Sequence, residues 1–207
     1  MRAFITGTDT GGGKTFVTAL LARALRRAGL DTIALKPLCS GDRLDVEILR
    51  TACGEELEPD EINPLWFQAP VAPLLAARLE HRSVSLPALE AWFGKVSHGR
   101  QSVLVEGAGG WLVPVADNLL VADLAVAFGL PVLVVVANRL GCINHTLLTI
   151  ESIRARGLEC RGLILNSIAR DDDQAMQSNR ALLEEFTNVP ILFEITPDQE
   201  EIELAIA

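Results

Sequence analysis

"ITGTDTGGGKT", Ile5 to Thr15, is the stretch that decides how the rest of the chain is read. A short apolar run ends at Thr6, glycines follow at positions 7, 11, 12 and 13, and Lys14-Thr15 opens a segment with helical spacing. Strand, glycine-rich turn, then helix is the context a phosphate-binding loop needs. Glycines tolerate positive φ, so backbone N–H groups can converge on phosphate oxygens, and the helix N-terminus adds the positive end of its dipole. On this reading Gly11, Gly12 and Gly13 cradle a nucleoside triphosphate, Lys14 bridges its β- and γ-phosphates, and the Thr15 hydroxyl ligates Mg²⁺. The usual spacing GxxxxGK[ST] is not met, because Thr8 stands where the first glycine belongs and Gly7 is one residue too far upstream. A glycine turn that merely reverses the chain is the plainer alternative, and it leaves Gly-Lys-Thr in this context unexplained.

The bulk numbers limit the alternatives. A chain of 207 residues can bury one sizeable core and is short for two, so residues 1–207 are expected to form a single domain. Nearly half of the residues, 49%, are hydrophobic, which argues for a large buried sheet and against disorder. A net charge of −9 with no offsetting basic cluster disfavours a nucleic-acid binder. The first residues have no secretory h-region. The longest apolar stretch, Leu119 to Ala137, is broken by Asp123, Gly129 and Pro131, so no membrane span is expected. Cys39, Cys53, Cys142 and Cys160 have neither CxxC nor zinc spacing and read as reduced thiols of a soluble, cytoplasmic protein.

Short apolar runs alternate with helix-period segments. Strands are expected at 3–6, 32–36, 102–106, 132–138, 162–166 and 191–195, and helices at 14–28, 45–52, 74–80, 86–96, 121–128, 143–156 and 173–187. "VLVVVAN" is unbroken by polar residues, as a strand covered on both faces should be. Gly29, Gly129 and Gly157 each follow a helix, where a left-handed residue is wanted. Repeated βα units imply an α/β fold, a three-layer P-loop NTPase-like domain with a mostly parallel β-sheet flanked by helices. The irregular stretch 54–73, with four prolines, reads as a structured excursion.

Two further clusters belong with the loop, since ligands of such sheets gather at the carboxyl ends of strands. "ALKPLCSG" places Lys36 and Ser40 at the end of the second strand, where an ammonium can neutralise charge on a transferring phosphoryl group. Asp45 opens the next helix, where an N-cap role alone would also explain it. "VLVEGAGG" ends the third strand on Glu106, followed by Gly107, Ala108 and Gly109. A carboxylate there has the placement of a Walker-B-type ligand, and Thr15, Asp45 and Glu106 together would offer Mg²⁺ three hard oxygens. A surface lysine and a strand-ending glutamate are the structural alternatives.

Asp9 stands where partition and septum-positioning ATPases carry their signature lysine. The whole set of stretches "GTDTGGGKT", "KPLCSG", "NPLWFQAPVAP", "VEGAGGWLVP" and "NRLGCINHTLLT" closely resembles the motifs of the dethiobiotin synthetase family, collinearly from residue 2 to about residue 167. That family's loop has the extra residue and the internal Thr-Asp-Thr. The resemblance implies an ATP-dependent cyclo-ligase of biotin biosynthesis. Its substrates would be ATP, CO₂ and 7,8-diaminopelargonic acid: one amine captures CO₂ as a carbamate, the carbamate oxygen takes the γ-phosphoryl group of MgATP, and the second amine closes the ring. It further implies that residues from Gly11 to Phe16 wrap the triphosphate. Thr10 and Lys36 would act with Lys14 as the catalytic set, Ser40 would meet the diamine, and Gly107 to Gly109 would line the site. Leu140, Gly141, Cys142, Ile143 and Asn144 would bind the substrate's distal carboxylate in the partner subunit's site, which makes the protein a homodimer. Asn166, Ser167, Thr196, Pro197 and Asp198 would neighbour the base and ribose.

The chain departs from the family at several points. Gly12 replaces a frequent Val, Arg139 a usual Lys, and Ser167 the Asp of a common Asn-Asp pair, which leaves base selectivity open. Two other classes are alternatives. A partner-regulating switch ATPase of the same broad fold lacks support without the signature lysine. A ligase acting on a larger carboxylate would call for a glutaminase-like domain.

Overall fold

The computed structural model describes residues 1–167 and 174–204. In chain order the elements are β1 (Arg2–Gly7), α1 (Lys14–Arg27), β2 (Thr32–Leu35), β3 (Leu38–Ser40), α2 (Leu44–Ala52), α3 (Pro59–Ile62), β4 (Leu65–Phe67), α4 (Pro73–Leu79) and α5 (Leu86–Val96). Then follow β5 (Ser102–Gly110), β6 (Pro114–Ala116), β7 (Leu119–Leu120), α6 (Val121–Ala127), β8 (Val132–Ala137), α7 (Cys142–Ala155), β9 (Cys160–Asn166), α8 (Gln174–Phe186) and β10 (Ile191–Ile195). Six strands form one sheet in the order β10-β9-β8-β1-β5-β2, with every pairing parallel.

Period-2 alternation splits each central strand between two cores. Phe4, Val103, Val105, Val132, Val134 and Val136 face a cluster completed by Leu89, Leu124, Ile150 and Leu183 from α5, α6, α7 and α8. Ala3, Ile5, Leu104, Leu133 and Val135 face the other cluster, against Val17, Leu20, Leu21 and Ala24 of α1 and Leu49 of α2. Both faces are covered, so β8 is buried along its whole length. In α1 the buried residues recur at helical spacing, Arg26 and Arg27 sit in the last turn where the dipole favours cations, and Gly29 follows with φ +82°. The expected three-layer α/β architecture is the observed one, and no described helix is long and apolar enough to cross a membrane.

The excursion at 54–73 is ordered by local chemistry. Glu58 and Glu61 close a reciprocal capping box around α3, and β4 pairs in parallel with β3. Its purpose in the fold is to grip the end of β2. The Lys36 N–H donates to Ile62 O at 3.0 Å, and the buried Asn63 amide donates to Lys36 O at 2.7 Å.

Some boundaries move for physical reasons. Asp45 is not an N-cap: α2 begins at Leu44 after Arg43, and it is Asp42 whose carboxylate accepts the Leu44 N–H at 3.1 Å. The seventh helix starts at Cys142, one residue before Ile143, since Gly141 turns with φ +91° and Cys142 N–H already donates to Arg139 O. The third major strand runs past Glu106 to Gly110, which pairs with Gly7. Position 173, expected to begin the last helix, lies outside the described residues.

Candidate active site

Every side chain singled out in the loop and the two clusters lies at or just beyond the carboxyl edge of the sheet. The loop between β1 and α1 is shaped by backbone geometry. Gly11 and Gly13 have φ of +75° and +80°, a region that side chains with a Cβ rarely adopt. A Cβ on Gly13 would also lie 2.1 Å from the Asn166 amide nitrogen. Lys14, the first residue of α1, is buried and folds back so that its ammonium donates to Asp9 O at 3.2 Å. Burial pushes its pKa down, with Glu106 pulling the other way.

Beside the loop is the most strongly charged buried cluster among the described residues. The Lys36 ammonium is 2.6 Å from Glu106 Oε1 and also donates to Asp45 Oδ2. The Lys36 and Glu106 side chains are 6% and 0% exposed, that of Asp45 41%. Burial alone would lower the Lys36 pKa, but two contacting carboxylates outweigh it and the net shift is upward. Burial likewise would raise Asp45; Lys36 and the Thr15 hydroxyl prevail and hold it below its ordinary 3.8. The Thr15 hydroxyl donates to Glu106 Oε1 at 2.8 Å, whereas Glu106 Oε2 is buried with no hydrogen-bond partner. Two carboxylates thus meet on one cation, the Thr15 hydroxyl closes on the same Glu106 oxygen, and a buried carboxylate oxygen still has bonding capacity. That donor set fits a small divalent ion such as Mg²⁺.

A cavity of about 410 Å³ opens from this cluster. Thr10, Lys36, Ser40, Asp45, Ala108 and Gly109 line one side, and Pro70 to Pro73 of the excursion line the other. The Ser40 hydroxyl is buried and has no hydrogen-bond partner. Gly107 does not reach this cavity: it lies in the core, where a Cβ would meet Val121 at 2.8 Å and Phe4 at 3.0 Å. None of Leu140, Gly141, Cys142, Ile143 and Asn144 lines it either. They form the turn into α7, with the Cys142 side chain buried and Leu140 81% exposed. In the first turn of a helix the N–H groups of Ile143 and Asn144 have no intrahelical acceptor.

The remaining expected residues lie on the far side of the loop. Pro197 and Asp198 line an open groove with Phe16, Arg23 and Arg27. Thr196 follows β10 directly. The Ser167 hydroxyl accepts from the Asn138 amide at 3.3 Å, and its N–H donates to Ile195 O. Asn166 reaches the phosphate loop itself, donating to Gly12 O at 2.9 Å.

Two features lay outside the sequence reading. Asn63 fixes the Lys36 backbone, and its only sequence signal is its place in "NPLWF". Arg139 and Asp9 form an ion pair at 2.6 Å, two departures from common patterns that complement each other across 130 positions.

Residues 1–203 match a family described as AAA domain. A protein of Akkermansia muciniphila named ATP-dependent dethiobiotin synthetase BioD is 42% identical over 207 residues, covering 100% of this chain and 97% of that protein. The chain belongs to the dethiobiotin synthetase family. A second dethiobiotin synthetase, of Anaeromyxobacter sp. (strain Fw109-5), is 48% identical over 183 residues, with 86% and 82% coverage. Among solved structures, the septum site-determining protein MinD of Pyrococcus horikoshii OT3, complexed with Mg-ADP, matches with a TM-score of 0.60 at 19% identity. The match covers 96% of this chain and 82% of that one, and at that identity it shows a shared P-loop NTPase fold only. Membership of the dethiobiotin synthetase family makes the chain an ATP-dependent ligase.

Proposed function

We propose that this single-domain ligase carboxylates 7,8-diaminopelargonic acid with CO₂ and closes the cyclic urea at the expense of ATP, releasing ADP and phosphate. The observation that carries this reading is the Lys36 ammonium, held between Asp45 and Glu106 where the phosphate loop meets the cavity. Phosphoryl transfer needs positioning and charge stabilisation more than a protein nucleophile. Gly11, Gly12 and Gly13 present N–H groups to the triphosphate, and Lys14 turns from Asp9 O to the β- and γ-phosphates. Thr15, Asp45 and Glu106 would hold Mg²⁺. When bound, Mg²⁺ neutralises charge on the phosphate oxygens. Lys36 and Thr10 stabilise the carbamate oxygen as it attacks the γ-phosphorus; that P–O bond forms as the bond to ADP breaks, giving a carbamic–phosphoric anhydride. The second amine then attacks the carbonyl carbon, phosphate leaves with the C–O electrons, and the ammonium loses its proton. The unpartnered Ser40 hydroxyl suits the diamine end.

The distal carboxylate would be met by the turn from Leu140 to Asn144 of a second subunit, at the N-terminus of α7. Support comes from a groove continuous with the cavity through Thr10 and Val113, bordered by Leu112 and Leu148 at 51% and 58% exposure. These are side chains a homodimer would cover. The groove of Phe16, Pro197 and Asp198 would take the base and ribose. A cytoplasmic location accords with four free cysteines. Incubating the protein with MgATP, the diamine and ¹³C-bicarbonate tests the reading: the cyclic urea should carry the label, and an unlabelled product or none would reject it.

A further inference from the structure

We infer that Asn63 is a positioning residue: its buried amide fixes the root of Lys36 to the wall of the cavity, so that the ammonium and the wall keep one register. The inference rests on the role given to Lys36 above and adds a group that acts only through it. The pairing of β2 with β5 ends at Leu35 and Val105, so Lys36 stands beyond the ladder, and Pro37 after it has no N–H to donate. The excursion supplies what the sheet does not. The Lys36 N–H donates to Ile62 O at 3.0 Å, and Lys36 O accepts from Asn63 Nδ2 at 2.7 Å. The Asn63 N–H is itself tied back to Pro59 O in α3.

The same Nδ2 donates to Leu65 O at 3.2 Å, where β4 begins. From there β4 runs beside β3, Trp66 Nε1 donates to Gly41 O, and the chain continues into Pro70–Pro73, the wall opposite Lys36 and Ser40. One amide group thus joins the backbone of the lysine to the base of the wall. Its orientation is dictated by its surroundings: two carbonyl oxygens demand two donors, and the flipped amide would set an oxygen against both. Asn63 is 1% exposed and its Oδ1 has no hydrogen-bond partner among the described residues, so these two bonds are what the side chain contributes. Lysine has a long flexible stem, and its ammonium is located only if both ends are held. Asp45 and Glu106 hold the ammonium, but they are also the proposed Mg²⁺ ligands, whereas the backbone contacts have no second duty. A displacement of about 1 Å at a reacting group costs about 100-fold in rate.

The test uses Asn63→Leu, which keeps the volume and removes both donors, and Asn63→Asp, which keeps the shape and turns an oxygen to both carbonyls. Three quantities are read well below each protein's melting temperature: MgATP affinity by calorimetry, kcat for diamine-dependent phosphate release, and hydrogen exchange of the Lys36 amide by NMR. A positioning role predicts kcat lower by about 100-fold in both variants, with MgATP bound within about threefold of the wild type. Exchange at Lys36 should be faster by roughly tenfold, the value of one buried hydrogen bond. An unchanged kcat beside a lowered melting temperature would make Asn63 merely structural and overturn the inference. Loss of MgATP binding in step with kcat would overturn it too, because the defect would not be confined to the lysine. Wild-type protein without diamine-dependent release would reject the ligase reading, and exchange would still decide the tether: faster exchange in the variants keeps it, wild-type exchange rejects it.

Discussion

At the Lys36 end of the site, an ammonium and a fully buried carboxylate meet at 2.6 Å, and a threonine hydroxyl closes on the same oxygen. At the other end, Ser167 makes a 3.3 Å side-chain bond between neutral groups, and Pro197 and Asp198 border a groove open to solvent. The first region concentrates charge where water is excluded, so each group depends on the others. The second leaves its groups solvated and replaceable. The two therefore differ in what a substitution should do.

The largest effect is expected at Lys36. Lys36→Met strands Glu106 without its cation, which should cost about 3–5 kcal/mol of stability in chemical denaturation. It should also abolish turnover, by roughly 10³-fold or more. Adding Mg²⁺ should restore part of the lost stability, since the same oxygens can hold it. Lys14→Ala should likewise abolish turnover while keeping the fold.

Gly13→Ala comes next. Positive φ costs a side chain about 1–3 kcal/mol, and the added Cβ pushes on Asn166. Nucleotide affinity should fall about 100-fold by calorimetry, in line with strain of that size.

The pH dependence sharpens the contrast. Asp45 is held below its ordinary 3.8, so its stabilisation is present above that pH and is lost as pH falls through the lower folded value. Lys36 is raised above 10.5, so its contribution is complete below that pH and is lost only at higher pH. The stability difference between wild type and Asp45→Asn should thus be flat from pH 5 to 9, measured by urea melts, and should narrow below about pH 4.

Much of the Lys36 region was legible in the sequence, because its chemistry requires rare residue types at strand ends: Gly-Lys-Thr, a lysine after "TIAL", a glutamate after "SVLV". The strands of the main sheet were legible for a related reason: in β5 and β8, burial on both faces leaves unbroken apolar runs such as "VLVVVA". The short β3, β4, β6 and β7 and the one-turn α3 were not, since strands of two or three residues and a single helical turn carry no period. The grip of Asn63 on Lys36 and of Asn166 on Gly12 was also hidden, because such bonds join residues 27 and 154 positions apart. Ser167 stands out in the sequence for what it replaces, and only the structure assigns it a partner in Asn138.

The smallest effects belong to the solvated side. Ser167→Ala removes one acceptor beside a half-buried amide and should change stability by less than about 1 kcal/mol. The ratio of ATP to GTP affinity should move by less than about threefold, the equivalent of that bond's weaker half. The Asp9–Arg139 pair is 47% and 58% exposed, so a double-mutant cycle in denaturation should return a coupling below about 1 kcal/mol.

The most direct measurement is phosphate release from MgATP and bicarbonate by the purified protein, with and without the diamine. Release that depends on the diamine, one phosphate per cyclic urea formed, is the predicted result. Slow hydrolysis indifferent to both diamine and CO₂ would contradict the account and point to a switch ATPase instead.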